Sequence, residues 1–231
     1  MRTAILGVLY AAFLISITPY VLFCWLTGAR DPLISLGQWV VRLGCRFLRI
    51  RVEVAGLERV EPRTPYIFMA NHASFLDGPI LGMIIPRPIR IVLKKSLFGI
   101  PILGLAMWHV GFIPVDRRGA KGGQKSMRTA ARLMRERSYS FLLFPEGTRS
   151  RDGALLAFRR GGFFLALESR TPIVPVTIRG THELMPKGQW HARKGIVTIV
   201  FHPPVLVEGY RPESMGELMD NVRNAIASPG D

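Results

Sequence analysis

Cysteine is scarce in this chain. The only two, Cys24 and Cys45, lack metal-ligand spacing, and Cys24 lies inside an apolar run. Neither a disulfide framework nor a zinc site is expected from them, and a reducing compartment suits the composition. Acidic residues are also few: 16 Asp and Glu stand against 31 Lys and Arg, a formal charge of +15 over 231 residues. That imbalance draws a protein to something anionic, whether nucleic acid, acidic membrane lipid or a phosphorylated substrate. Zinc-finger spacing, basic-region heptads and a ribonucleoprotein-type aromatic motif are all missing, which argues against nucleic acid as the partner. There is no Gly-x-Ser-x-Gly elbow to supply a serine nucleophile, and no internal repeat or low-complexity tract. The length supports one sizeable domain plus an appendage.

What the chain does have is apolar surface. Hydrophobic residues make up 48% of it, unusual beside so much positive charge, and the combination favours a membrane over nucleic acid. Residues 4–27 carry no charged side chain; as a helix they would run about 36 Å, enough for a hydrocarbon core of roughly 30 Å. Pro19 interrupts the run, so a kinked crossing and a re-entrant hairpin are both open, as is a cleaved signal peptide. After Asp31-Pro32 the spacing predicts an amphipathic helix over 33–50, with Gln38, Arg42, Arg46 and Arg49 among Leu36, Trp39, Val40, Leu43 and Phe47. Trp and Arg beside an apolar run suit the headgroup layer, with a surface helix packed on the domain as the plainer reading. The arginines place this side, and the domain after it, on the cytoplasmic face of the cell membrane. Residues 1–50 thus read as a membrane-anchoring helical segment and 51–231 as one catalytic domain.

Within that domain short apolar runs alternate with helical periodicities. Strands are expected over 51–55, 65–71, 90–93, 112–115, 140–144, 173–178 and 196–201, with helices over 77–85, 102–109, 124–137, 161–169 and 213–227. The expected fold is α/β, a mixed, largely parallel sheet flanked by helices. Two stretches at strand ends carry chemistry. In Asn71-His72-Ala73-Ser74-Phe75-Leu76-Asp77 an imidazole and a carboxylate stand five residues apart. On one helix they would face apart, so His72 should precede the helix and lean back over its first turn to meet Asp77. That pairing makes a general base with an orienting carboxylate. A capping Asp beside a strand-end His is the plainer alternative. Downstream, Phe144-Pro145-Glu146-Gly147-Thr148-Arg149-Ser150 follows another strand, and Lys94-Lys95 ends a third; two lysines there suit an anionic ligand or simply a solvated loop.

Asn71-His72 through Asp77, Gly111 to Arg117, Phe144 to Ser150, and Val174-Pro175-Val176 resemble, in order and spacing, the four motifs of the glycerolipid acyltransferases, to which 1-acylglycerol-3-phosphate acyltransferases belong. The resemblance covers residues 65–180. It implies transfer of a fatty acyl group from coenzyme A or acyl carrier protein, as co-substrate and with no cofactor or metal, to lysophosphatidate in the membrane. His72 and Asp77 would be catalytic. The substrate-binding set would be Asn71, Lys94, Lys95, Arg117, Glu146, Gly147, Thr148 and Arg149, with Arg149 and Arg117 forking the acceptor's phosphate and Glu146 contacting a glycerol hydroxyl or holding those arginines. Residue chemistry agrees, since a hydroxyl attacks a thioester poorly until a base takes its proton, a role worth about 10²- to 10⁴-fold. A relative that acylates another lysolipid, a non-catalytic basic membrane adaptor and an acyl-thioester hydrolase are the competing readings.

Overall fold

Four apolar residues in succession, Ile67–Ala70, form a strand buried along its whole length, as expected of a strand covered on both faces. The computed structural model describes the backbone over residues 2–116 and 120–228, and side chains over 15–116 and 123–228. Its strands are β1 (Ile50–Ala55), β2 (Ile67–Ala70), β3 (Ile89–Lys94), β4 (Ile113–Val115), β5 (Ser140–Leu143), β6 (Ile173–Arg179) and β7 (Gly195–Phe201). Its helices are α1 (Arg2–Thr27), α2 (Asp31–Phe47), α3 (Asp77–Ile84), α4 (Leu103–His109), α5 (Ala120–Arg137), α6 (Gly161–Ser169), α7 (Thr181–Leu184) and α8 (Met215–Ala227). The strands make one sheet in the order β1-β7-β6-β2-β5-β3-β4. Only the β6–β7 pair is antiparallel, so the expected mixed, largely parallel sheet is the one observed.

Alternation along β2 divides the core. Phe68 and Ala70 join Ile80 and Leu81 of α3 and Cys45 of α2 on one face. Ile67 and Met69 meet Met127, Ala130 and Ala131 of α5, Phe163 and Ala166 of α6 and Leu218 and Val222 of α8 on the other. Because β2, β3, β4, β5 and β6 run in one direction, their C-terminal ends open on one edge. In such sheets that edge is where ligands bind.

In the N-terminal segment one of the open alternatives falls away and the second helix has other bounds than expected. α1 is a single helix of 26 residues that continues through Pro19, so residues 4–27 do not fold back as a hairpin. Among the described residues no helix is long and apolar enough to cross a membrane. The next helix begins at Asp31, with Pro32 inside its first turn, where a missing N–H costs no hydrogen bond; Asp31-Pro32 starts the helix rather than breaking the chain. It stops at Phe47, and Arg49 adopts φ 55° as the chain turns into β1, which takes Arg49 off the helical face.

α2 is also docked. Gln38 Nε2 donates to the Gly82 carbonyl of α3 at 2.8 Å, and Cys45 reaches the core. The stripe of Trp39, Val40, Leu43 and Phe47 is exposed, so it is the face turned away from the domain. At the α1–α2 junction the buried Arg90 guanidinium bonds Asp31 at 2.9 Å and stacks on Tyr139, whose hydroxyl accepts from Arg30.

Candidate active site

β2 delivers Asn71 and His72 to the open edge. The Asn71 side chain both accepts from the Ile178 N–H and donates to the Ile178 carbonyl, each at 2.8 Å. It extends the β2–β6 pairing beyond the strand and fixes the backbone that leads into His72. The chain then turns through Ala73 to Leu76 and enters α3 at Asp77, so His72 precedes the helix. Asp77 is fully buried, and its Oδ2 accepts from the Ala73 N–H, the Ser74 N–H and His72 Nδ1, each at 2.8 Å. An ionised carboxylate only accepts, so Nδ1 carries the ring proton. The N-terminus of α3 adds its own partial positive charge beneath the carboxylate.

This leaves Nε2 as the basic nitrogen, and among the described residues it makes no hydrogen bond. The ring stacks on Phe144, with centroids 4.0 Å apart and planes at 14°. That contact removes the rotational freedom that the Asp77 bond alone would leave. The pair can hold one tautomer, accept a proton at Nε2 and balance the resulting imidazolium.

Phe144 itself opens the second stretch, at the end of the neighbouring strand β5. Glu146 is buried, and its Oε1 accepts from the His72 N–H at 2.7 Å while Oε2 accepts from the Leu156 N–H at 3.0 Å. Burial pushes its carboxyl above the usual range, and these two N–H bonds oppose the shift. Ser150 N–H donates to the His72 carbonyl at 2.8 Å. Each Glu146 oxygen thus accepts a backbone N–H, one of them that of His72, and among the described residues no arginine pairs with its carboxylate. Gly147 lies at φ 70°, a conformation that favours glycine, and a Cβ there would come within 2.7 Å of the Arg159 side chain and displace it.

Beyond the turn, the half-buried Arg149 lies with its Cζ 5.9 Å from the Phe75 ring centroid, which brings it beside the loop that carries His72. Lys187, 38 residues further along the chain, donates to the Arg149 carbonyl at 2.8 Å and to Thr148 Oγ1 at 3.2 Å. Lys94 ends β3 and Lys95 follows it, both exposed at the same sheet edge. Arg117 lies outside the described residues.

Sequence reasoning missed Lys187 and Arg159, because nothing local marks a lysine 38 residues away, or an arginine 12 residues on, as one that folds back onto this turn. It also missed a cavity of about 800 Å³ bounded by Val92, Met127, Leu143, Phe144, Phe164 and Met215. Phe144 separates that mostly apolar space from the His72 ring. Among the described residues no cluster of His, Cys, Asp or Glu is arranged to hold a metal ion.

A family model described as Acyltransferase matches residues 51–179. The chain is 35% identical over 179 residues to the 1-acyl-sn-glycerol-3-phosphate acyltransferase alpha of Homo sapiens, covering 77% of this chain and 62% of that protein. It is 33% identical over 175 residues to the 1-acyl-sn-glycerol-3-phosphate acyltransferase of Limnanthes douglasii, covering 76% and 62%. The chain thus spans about three fifths of the length of these curated relatives. Among solved structures, the crystal structure of the 1-acyl-sn-glycerophosphate (LPA) acyltransferase PlsC from Thermotoga maritima superposes with a TM-score of 0.75 at 25% identity, covering 98% of this chain and 96% of that one.

Proposed function

The chain belongs to the acyltransferase family, and from that premise we propose that it transfers a fatty acyl group from an acyl thioester to the free hydroxyl of 1-acyl-glycerol 3-phosphate, forming phosphatidic acid. The observation that carries this reading is the His72–Asp77 pair, with Nε2 uncommitted, held at one sheet edge with the turn that bears Arg149. The names of the relatives support the acceptor.

The chemistry follows from the geometry. His72 Nε2 takes the proton of the acceptor hydroxyl as its oxygen attacks the thioester carbonyl, and the bond to Asp77 stabilises the imidazolium. Collapse of the tetrahedral intermediate breaks the carbon–sulfur bond, and the imidazolium returns its proton to the departing thiolate. No covalent acyl-enzyme is required. Arg149 binds the acceptor's phosphate through its guanidinium fork, with Arg117 as its companion by family resemblance. Lys94 and Lys95 supply further charge at the rim, and the cavity behind Phe144 has the apolar lining and volume that an acyl chain needs.

Coenzyme A or acyl carrier protein would deliver the acyl group from water, whereas the acceptor and product lie in the membrane. The exposed Trp39, Leu43 and Phe47 on α2, flanked by exposed Arg42 and Arg46, support a domain seated on the headgroup layer of the cytoplasmic face. The deciding experiment incubates the full-length protein in lipid with acyl-coenzyme A, and in parallel with acyl carrier protein, against a panel of lysolipids, and identifies products by mass. Phosphatidic acid formed in step with thiol release is expected. Thiol release independent of any acceptor would replace this reading with thioester hydrolysis, and binding without turnover would replace it with an adaptor.

A further inference from the structure

Lys187 lies in the connection between α7 and β7, 38 residues from the turn it bonds. Nothing in the family motifs points to it. Its ammonium gives one N–H to the Arg149 carbonyl and one to Thr148 Oγ1. Ammonium has three donors, and neither partner carries a charge. Among the described residues no carboxylate lies within ion-pair distance of Lys187, Arg149 or Arg159. Arg159 packs against Gly147 of the same turn. The half-buried Lys187 and Arg149 and the exposed Arg159 therefore bear on Gly147-Thr148-Arg149, and among the described residues none of the three has a carboxylate in ion-pair contact. Holding like charges together is unfavourable unless a ligand of opposite sign completes the site.

The strand of chain just before Lys187 is tied to the other half of the site. Ser74 Oγ donates to the Met185 carbonyl at 2.7 Å, and Ser74 and Pro186 form an isolated β-bridge. Residues 185–187 thus bond the loop between His72 and Asp77 at one end and the Thr148–Arg149 turn at the other. This short strap would hold a phosphate seated at the turn in register with the base.

We propose that Lys187 is a further phosphate-site residue, holding the Thr148–Arg149 turn with two N–H groups and giving its charge and third N–H to the phosphate of the acceptor. The proposal rests on the acyltransferase reading for the identity of the acceptor, but the anion site stands on its own geometry. Two substitutions separate its parts. Lys187→Gln keeps a donor near the Arg149 carbonyl and removes the charge; Lys187→Arg keeps the charge.

The test uses the full-length protein and two readouts. The first is calorimetric binding of glycerol 3-phosphate, with glycerol as the uncharged control. The second is steady-state acylation, with KM measured separately for lysophosphatidate and for the acyl thioester. Lys187→Gln is expected to weaken glycerol 3-phosphate and raise the KM for lysophosphatidate by about tenfold or more, the scale of one charge-assisted hydrogen bond. The KM for the thioester and the thermal midpoint should stay near wild type, and Lys187→Arg should hold both anion values within a few-fold. A merely structural lysine would instead lower the thermal midpoint and disturb both substrates alike, which overturns the proposal. Unchanged phosphate affinity in Lys187→Gln overturns it as well. Wild-type protein that binds glycerol 3-phosphate through Lys187 yet makes no phosphatidic acid would keep the anion site and remove the acyltransferase reading.

Discussion

At the scale of single residues, the contacts of Asp77 separate charge from scaffold. Its Oδ2 holds two backbone N–H groups as well as His72, and an asparagine oxygen in that place still accepts all three bonds. Asp77→Asn should therefore keep the fold at a cost of about 1–3 kcal/mol, since its amide N–H groups would replace the buried, unpartnered Oδ1, yet lose acyl transfer by roughly 10²-fold or more, because the imidazolium is no longer balanced. His72→Ala should lose nearly all of it; turnover within a few-fold of wild type in that folded variant ends the general-base assignment. Glu146→Gln sets an amide N–H against one of two backbone N–H groups. It should lower stability by about 1–3 kcal/mol in urea titrations and slow transfer by releasing the His72 peptide. His202 predicts a pH effect. Its Nε2–H donates to Thr177 Oγ1, since that hydroxyl gives its own proton to the Ile226 carbonyl. Burial, then Arg59 and Arg179, hold its pKa below 6.5. The unfolded chain takes up that proton first, so the stability His202 contributes is complete above its unfolded pKa of about 6.5 and is lost as pH falls through the folded value. Denaturation midpoints measured from pH 7.5 to 5 should fall less steeply in His202→Gln than in the wild type.

At the scale of elements, α2 serves two sides at once. Gln38 and Cys45 bind it to the domain, while Trp39 at 56% exposure and Phe47 at 86% point outward. Deleting residues 1–50 would remove part of the core along with the outward face, so the cleaner test replaces the outward side chains. Trp39→Ser with Phe47→Ser should leave the melting temperature unchanged and reduce flotation with vesicles at least tenfold, given about 1.5–3 kcal/mol for each apolar side chain buried. Full flotation of the double variant would place the membrane contact elsewhere. Acylation of a long-chain acceptor should fall with flotation, and that of a short, water-soluble acceptor should not.

At the scale of the whole molecule, 31 basic against 16 acidic residues give a field that attracts anionic surfaces from a distance but is screened beyond roughly 8–10 Å in physiological salt. Vesicles containing acidic lipid should bind more tightly than zwitterionic ones at low salt. Added salt should erase that difference while leaving the apolar part of the binding intact. Complete release by salt from both kinds of vesicle would show that charge alone holds the protein to membranes.

The sequence by itself determined the alternation of strands and helices, the largely parallel sheet and the placing of His72 before α3, because short apolar runs, helical periodicity and turn residues act over a few neighbours. The paired spacing of His72 and Asp77 was legible for the same reason. Only the tertiary structure decided that Glu146 binds the His72 peptide 74 residues away, and that Lys187 binds the Arg149 turn. Such contacts follow from strand order, which no local pattern encodes. It decided also that the apolar stripe of α2 faces outward. Periodicity shows that a helix has an apolar side, but which side meets the core depends on what is packed beneath it, and here that place is taken by Gln38, Val41 and Cys45.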